Sequence, residues 1–261
     1  MSINRSVVAL SIIAALISTN VFAAGQCSAK SGNETAAILE LYTSEGCNSC
    51  PRADKWVSSL APSGYKPTQI VPLAFHVDYW DYIGWADRFA NKEFSGRHRV
   101  LAHANGSSTV YTPQIFVSGK DIHLAFSNVK LNGTLKDINT AKPRADIGLE
   151  LDASAANSLN LIGSASLDTP SDDAAAYVAV YENRLSSNVK AGENRGVKLE
   201  HDYVVRELIG PLKFDRQGKL EIKQSFAIQP DWKAKDLGVA AFVQSRNTGE
   251  TLQALQLPAC R

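Results

Sequence analysis

Two cysteines set three apart, Cys47 and Cys50, stand between an apolar run and a helical stretch. Ala36 to Tyr42 reads as a buried strand, and Arg52 to Leu60 reads as a helix with Trp56, Val57 and Leu60 on one face. A thiol at a helix N-terminus meets unpaired backbone N–H groups and the positive dipole end, which stabilise its thiolate. The thiolate is the attacking species in disulfide exchange, and a second cysteine one turn on can resolve a mixed disulfide. Pro51 is tolerated there because the first helical turn has spare N–H groups. Three readings compete for Cys47-Asn48-Ser49-Cys50: a redox pair, a structural disulfide, and half of a zinc site. Zinc needs two further ligands at compatible spacing. There is no second C-x-x-C, and His98 and His103, five apart, do not share a helical face.

The chain changes character near Lys142-Pro143. Before it, strand-like and helix-like stretches alternate. Ile70 to Val77 reads as a strand, Asp87 to Ala104 as a helix, and Gln114 to Val117 as a short strand. Ile122 to Phe126 would pair with that strand across Ser118-Gly119, and Asn128 to Thr140 reads as a final helix. This order predicts an α/β domain over residues 24–142. After the break, Ile147, Leu149 and Leu151 alternate, as do Leu159 and Leu161, Tyr177 to Tyr181, and Leu220 and Ile222. Leu237 to Val243 and Leu252 to Leu257 flank the turn Asn247-Thr248-Gly249. Several short strands with turn signals predict an all-β, sandwich-like domain over residues 143–261.

Residues 1–23 read as a secretory signal peptide: Arg5, an apolar run from Val7 to Ile17, and small residues before a cut after Ala23. The run is too short to span a bilayer as a helix. The expected location is therefore the periplasm or the exterior, with no stable membrane insertion. Removing Arg5 leaves basic and acidic residues equal at 26 each. A balanced chain has no basic excess to neutralise phosphates, so nucleic acid is not an expected partner. Export also permits disulfides. The remaining cysteines, Cys27 and Cys260, are expected to pair with each other.

Tyr111-Thr112-Pro113-Gln114 opens the short strand about sixty residues after the cysteines. A strand, a C-x-x-C at a helix start, an αβ segment and a Thr-Pro before a hairpin together resemble the thioredoxin superfamily. The resemblance implies that Pro113 is cis, packs beside Cys47 and Cys50, and leaves the backbone of Thr112 to pair with a substrate peptide. Longer stretches resemble a family of secreted bacterial proteins of unknown function, DUF1223. They are Glu40 to Asp54, His76-Val77-Asp78-Tyr79-Trp80-Asp81-Tyr82-Ile83-Gly84-Trp85, Tyr111 to Gln114, Gly192-Glu193-Asn194-Arg195-Gly196 and His201 to Arg206. That resemblance implies a thioredoxin-like domain followed by a β-domain and supplies no substrate. Asn48-Ser49 is neither the Gly-Pro of thioredoxin nor the Pro-His of the strongly oxidising periplasmic enzymes, so no reduction potential carries over.

The expected function is exported thiol–disulfide exchange with protein or peptide thiols and a redox partner. Cys47 attacks, Cys50 resolves, and Thr112 and Pro113 hold the substrate backbone. No dissociable cofactor is expected, because the electrons reside in the cysteine pair. The alternatives are a non-enzymatic binding or scaffold protein and a periplasmic metallochaperone using Cys47, Cys50 and a histidine. Glu40, an acid in an apolar strand, has two readings: a proton carrier for Cys50, or a carboxylate satisfied by a neighbouring cation or backbone donor. His76 reads as a hydrogen-bonded core histidine. Arg52 and Asp54 read as a solvated pair on the first helical turn. The aromatic segment Asp78 to Trp85 reads as either a substrate wall or packing of a lid or domain interface. The polar cluster Glu193, Asn194, Arg195, His201, Asp202 and Arg206 reads as a loop-stabilising network.

Overall fold

Parallel strands buried on both faces are written as continuous apolar runs, and half-exposed antiparallel strands as alternating ones. Both patterns occur here in a computed structural model that describes residues 25–123 and 126–260. The expected signal peptide lies outside those residues. The first half comprises β1 (Gln26–Lys30), β2 (Ala37–Thr43), α1 (Cys50–Ser58), β3 (Ile70–His76), a 3-10 helix Asp78–Ile83, α2 (Lys92–Ala104), β4 (Gln114–Val117), β5 (Lys120–Asp121) and α3 (Asn128–Asn139). The second half comprises β6 (Ala145–Asp152), β7 (Ser158–Leu167), β8 (Ala174–Glu182), β9 (Leu185–Asn188), β10 (Lys198–His201), β11 (Val204–Lys213), β12 (Lys219–Ala227), a 3-10 turn Ala234–Asp236, β13 (Leu237–Ser245) and β14 (Thr251–Pro258).

The strands do not divide at residue 142. One sheet runs β14-β13-β8-β11-β3-β2-β4-β5, so both halves of the chain share it. The seam is β11 laid parallel to β3, with Val204 opposite Ala74 and the Ala74 N–H donating to the Tyr203 carbonyl at 2.8 Å. The otherwise unpaired edge of β3 thereby gains a partner, which is the physical reason the two halves merge. A second sheet, β1-β6-β7-β12, is wholly antiparallel. It draws in β1 from the start of the described chain, and the Cys27–Cys260 disulfide ties that strand to the residue two beyond β14.

Alternate residues of the long sheet feed different cores. Ala37, Leu39 and Leu41 of β2 pack with α1 and α3. Ile38 and Tyr42 point the other way, toward Phe94 and Leu101 of α2 and Phe242 of β13. At the far end the four-stranded sheet closes over Val178, Val180, Val239 and Ala241.

Several expected boundaries move. The hairpin partner of β4 is Lys120–Asp121 rather than Ile122 to Phe126, because the turn at Ser118-Gly119 is tight. Part of the expected strand, residues 124–125, lies outside the described residues. The helix expected from Asp87 starts at Lys92, where the Asn91 side chain accepts from the Glu93 N–H.

α2 carries a buried histidine whose protonation couples to folding. The His98 Nε2–H donates to Gln114 Oε1 at 2.6 Å, and the Gln114 amide donates onward to Asp121 at 2.6 Å. The Tyr79 hydroxyl, 3.3 Å away, donates to Nδ1. The neutral ring is fully satisfied and stacks on Tyr42 at 4.1 Å. Burial pushes its pKa from 6.5 down to about 4, with the Gln114 bond opposing only in part. The unfolded chain therefore binds the extra proton first as pH falls. The stability contributed by neutral His98 is complete above pH 6.5 and is lost as pH falls toward 4, on the order of 3 kcal/mol. We expect His98→Gln to flatten the pH dependence of the denaturation midpoint in that window, measured against the wild type.

Candidate functional site

The candidate site lies at the end of β2, where the chain leaves the sheet and turns into α1. Cys50 is the first residue of α1, Pro51 follows it, and the Cys50 N–H donates to the Cys47 carbonyl at 3.2 Å. Cys47 and Cys50 are joined by a disulfide. The Ser49 Oγ lies 3.3 Å from Cys47 Sγ, and only the hydroxyl can donate because the bonded sulfur has no proton. The Thr112–Pro113 peptide is cis, and the Thr112 carbonyl oxygen lies 3.7 Å from Cys47 Sγ. The Thr112 hydroxyl oxygen is buried with no hydrogen-bond partner among the described residues. Cys47, Cys50, Thr112 and Pro113 thus belong to one site.

Glu40 does not. It shares a face with Ile38 and Tyr42, opposite the face that packs against α1. Its carboxylate accepts from Arg97 Nε at 2.7 Å and Nη2 at 2.8 Å, from the Tyr42 hydroxyl at 2.8 Å, and from Gln244 at 3.1 Å. Of its two readings, the proton carrier to Cys50 is corrected, because the side chain lies on the face of β2 away from α1, and the carboxylate satisfied by a neighbouring cation holds. It anchors a buried ion pair instead.

The acid of the cysteine loop itself is Glu45, fully buried two residues before Cys47. Its Oε2 accepts from Trp85 Nε1 at 2.8 Å and its Oε1 from His201 Nε2 at 3.3 Å. Burial pushes its pKa up, but the bonds from His201, Ser187 and Trp85 outweigh this and hold it below the usual carboxylate value. The Glu45 backbone N–H donates to Asp87 Oδ2 at 2.8 Å, and the same oxygen takes a 2.6 Å bond from His76 Nδ1. His76 is thus the expected hydrogen-bonded core histidine. Burial works against its charge, yet the Asp87 carboxylate raises its pKa, while the pKa of Asp87 is lowered. Asp54, expected in a solvated pair with Arg52, is instead buried. One turn beyond Cys50, it faces Thr43 Oγ1 at 3.2 Å and His201 Nδ1 at 3.9 Å, and burial raises its pKa. Arg52 stays exposed, with its guanidinium 5.6 Å from the Phe126 ring.

The second half of the chain covers the pair. The hairpin β9–β10 carries the 189–197 loop over the start of α1. Asn194 Nδ2 donates to the carbonyls of Glu45 at 2.8 Å and Cys47 at 2.9 Å, and Glu193 Oε2 accepts from the Asn48 N–H at 3.0 Å. The polar cluster is therefore partly a clamp on the cysteine loop. Two other members serve elsewhere: Asp202 accepts from the Arg184 N–H, and Arg206 pairs with Asp231 at 2.7 Å. From the other side, Ile83 seals the site. A Cβ on Gly46 or on Gly192 would lie 3.2 Å from Ile83 Cδ1, so both contacts favour glycine, and Gly192 also holds φ +70°. Cys47 is left 1% exposed and Cys50 0%, with only Asn48 and Ser49 open to solvent. The aromatic segment Asp78 to Trp85 packs against this interface.

Residues 38–244 match the family described as protein of unknown function, DUF1223, and the chain belongs to that family. No curated protein matches it. Solved structures that resemble it include the following two. Protein AGR_C_4864 from Agrobacterium tumefaciens is 23% identical, with 87% of this chain and 96% of that one covered and a TM-score of 0.58. HBP35 of Porphyromonas gingivalis is 16% identical, with 88% and 76% covered and a TM-score of 0.67. At these identities the likeness is one of fold.

Asn194→Ala removes the donor from two buried carbonyls. The Cys47 carbonyl keeps the Cys50 N–H, so the Glu45 carbonyl is the one stripped of its donor, and an unpaired buried group costs about 1–3 kcal/mol. The expected outcome is a lowered denaturation midpoint together with faster alkylation of Cys47 after mild reduction, read by mass spectrometry. An unchanged alkylation rate would mean that the loop does not guard the pair.

Proposed function

We propose that this protein is an exported thiol–disulfide oxidoreductase whose reactive pair is Cys47 and Cys50. The observation that carries the reading is the position of the pair: at the N-terminus of α1, with Cys47 Sγ 3.7 Å from the Thr112 carbonyl beside cis Pro113. The order β2–α1–β3 with β2 and β3 parallel, then the β4–β5 hairpin and α3, supports a thioredoxin-like unit around it. Two disulfides support an oxidising compartment, and no helix among the described residues is long and apolar enough to cross a membrane.

In the reducing direction, the Cys47 thiolate attacks one sulfur of a substrate disulfide. That S–S bond breaks, a Cys47–substrate bond forms, and the leaving sulfur departs as a thiolate that solvent protonates. The Cys50 thiolate then attacks Cys47 Sγ and expels the second substrate thiolate. Two electrons pass to the substrate, and the pair ends as the disulfide described above. The reverse sequence oxidises a dithiol. No dissociable cofactor enters either direction. Because Cys47 is buried, a protein substrate makes contact only after the 192–196 loop or the Asp78–Trp85 segment moves aside.

The same burial favours a second reading, a static disulfide in a non-enzymatic binding protein. One comparison separates the two. With a disulfide-bonded peptide and a thiol donor, Cys47→Ser should abolish exchange, and Cys50→Ser should accumulate a mixed disulfide at Cys47. Turnover unchanged in Cys47→Ser would exclude the exchange reading, and no turnover in the wild type would favour the static one.

A further inference from the structure

Behind the cysteine pair, three buried carboxylates surround two buried imidazoles. Glu45, Asp54 and Asp87 are 0%, 5% and 5% exposed, and His76 and His201 are 0% and 2%. Asp87 accepts from the N–H groups of Glu45 and Phe89 as well as from His76 Nδ1. Glu45 accepts from Trp85 and from His201 Nε2. Each carboxylate thus acts as acceptor, which fixes the proton of His76 on Nδ1 and that of His201 on Nε2. The opposite nitrogens, His76 Nε2 and His201 Nδ1, are buried and have no hydrogen-bond partner among the described residues.

Those two rings converge on Asp54. Asp54, His76 and His201 each offer one ligand atom, and these atoms lie within 4.8 Å of one another. The ring centroids of His76 and His201 are 5.0 Å apart and nearly perpendicular, at 83°. A tetrahedral zinc ion with bonds of about 2.0–2.1 Å holds its ligand atoms roughly 3.4 Å apart, so a modest inward closure of the three completes the geometry. The outer shell has the arrangement that metal-binding histidines need, with each ring's second nitrogen donating to a carboxylate that orients it.

We propose that Asp54, His76 and His201 form a site for one divalent transition-metal ion of the zinc class, with Asp87 and Glu45 as its outer carboxylates. Neither cysteine is a ligand, so the site is distinct from a metallochaperone built on Cys47 and Cys50, and it does not depend on the exchange reading. It uses side chains from α1, β3 and β10, so it forms only when both halves of the chain have folded together. Four donors suit a tetrahedral ion, and solvent or Thr43 Oγ1, already 3.2 Å from Asp54, completes the set.

The test uses the exported chain with both disulfides intact, stripped with chelator and then loaded with Zn2+, either directly or during refolding. One equivalent of tightly bound Zn2+ is expected, with a raised Tm that chelator reverses. His76→Ala and His201→Ala should abolish stoichiometric binding, and Asp87→Asn should weaken it roughly 10–100-fold. The double variant Cys47→Ser/Cys50→Ser should bind as the wild type does. Co2+ in the wild type should show ligand-field bands of four- or five-coordination without thiolate charge transfer, a readout that needs no folded variant. Failure of the wild type to bind either ion would overturn the proposal. Binding lost with the cysteines and kept by the histidine variants would overturn it equally.

Discussion

A buried carboxylate must be met by donors from somewhere, and for Glu45 they come from distant parts of the chain. Trp85, 40 residues on, supplies an indole N–H, and His201, 156 residues on, supplies an imidazole N–H. Removing one donor leaves part of a buried acceptor unsatisfied, at a cost of about 1–3 kcal/mol or more. The loop before Cys47 can therefore reach its folded geometry only after the aromatic segment and the β9–β10 hairpin are in place. The carbonyls of Glu45 and Cys47 make the same demand through Asn194. Everything proposed for the cysteine pair, from its cover to its access, follows from that requirement.

The sheet makes this cooperation geometrically available. The parallel seam of β11 on β3 places β10, just upstream of β11, beside the exit of β3 and the start of α1. His76 at the end of β3, Asp54 on α1 and His201 on β10 then meet behind the pair. The two halves differ in pattern yet share one sheet and one site. The second half is the wall and clamp of the first, and its four-stranded sheet buttresses the opposite end of the shared one.

Much of this was legible in the sequence, for identifiable reasons. Long apolar runs located β2 and β3, clean alternation located β6 and β7, and the cysteines with Thr112-Pro113 located the candidate site. The Cys27–Cys260 pairing followed from elimination among four cysteines. Glu40 left two readings open because an acid in an apolar strand gives no sign of what satisfies it. The residue satisfying it, Arg97, sits 57 positions away on α2. β11 was obscured by register shifts after Val205 and Ile209 that break its alternation. Asp54 read as a surface acid because helix position alone carries no information about a hairpin arriving from residue 185 onward. Glu45 and Asn194 carried weak signals, an acid two before a cysteine and an amide between Gly192 and Gly196, whose meaning depended on contacts of long sequence separation.

On the proposed function, the Cys47–Cys50 disulfide is a reversible couple held in a folded, guarded site. Equilibration of the native protein in glutathione buffers of graded potential, with thiol trapping and peptide mapping, tests it most directly. A two-electron transition confined to Cys47 and Cys50 is expected, with Cys27–Cys260 remaining oxidised and the fold intact. A pair that stays oxidised until the protein unfolds would contradict it.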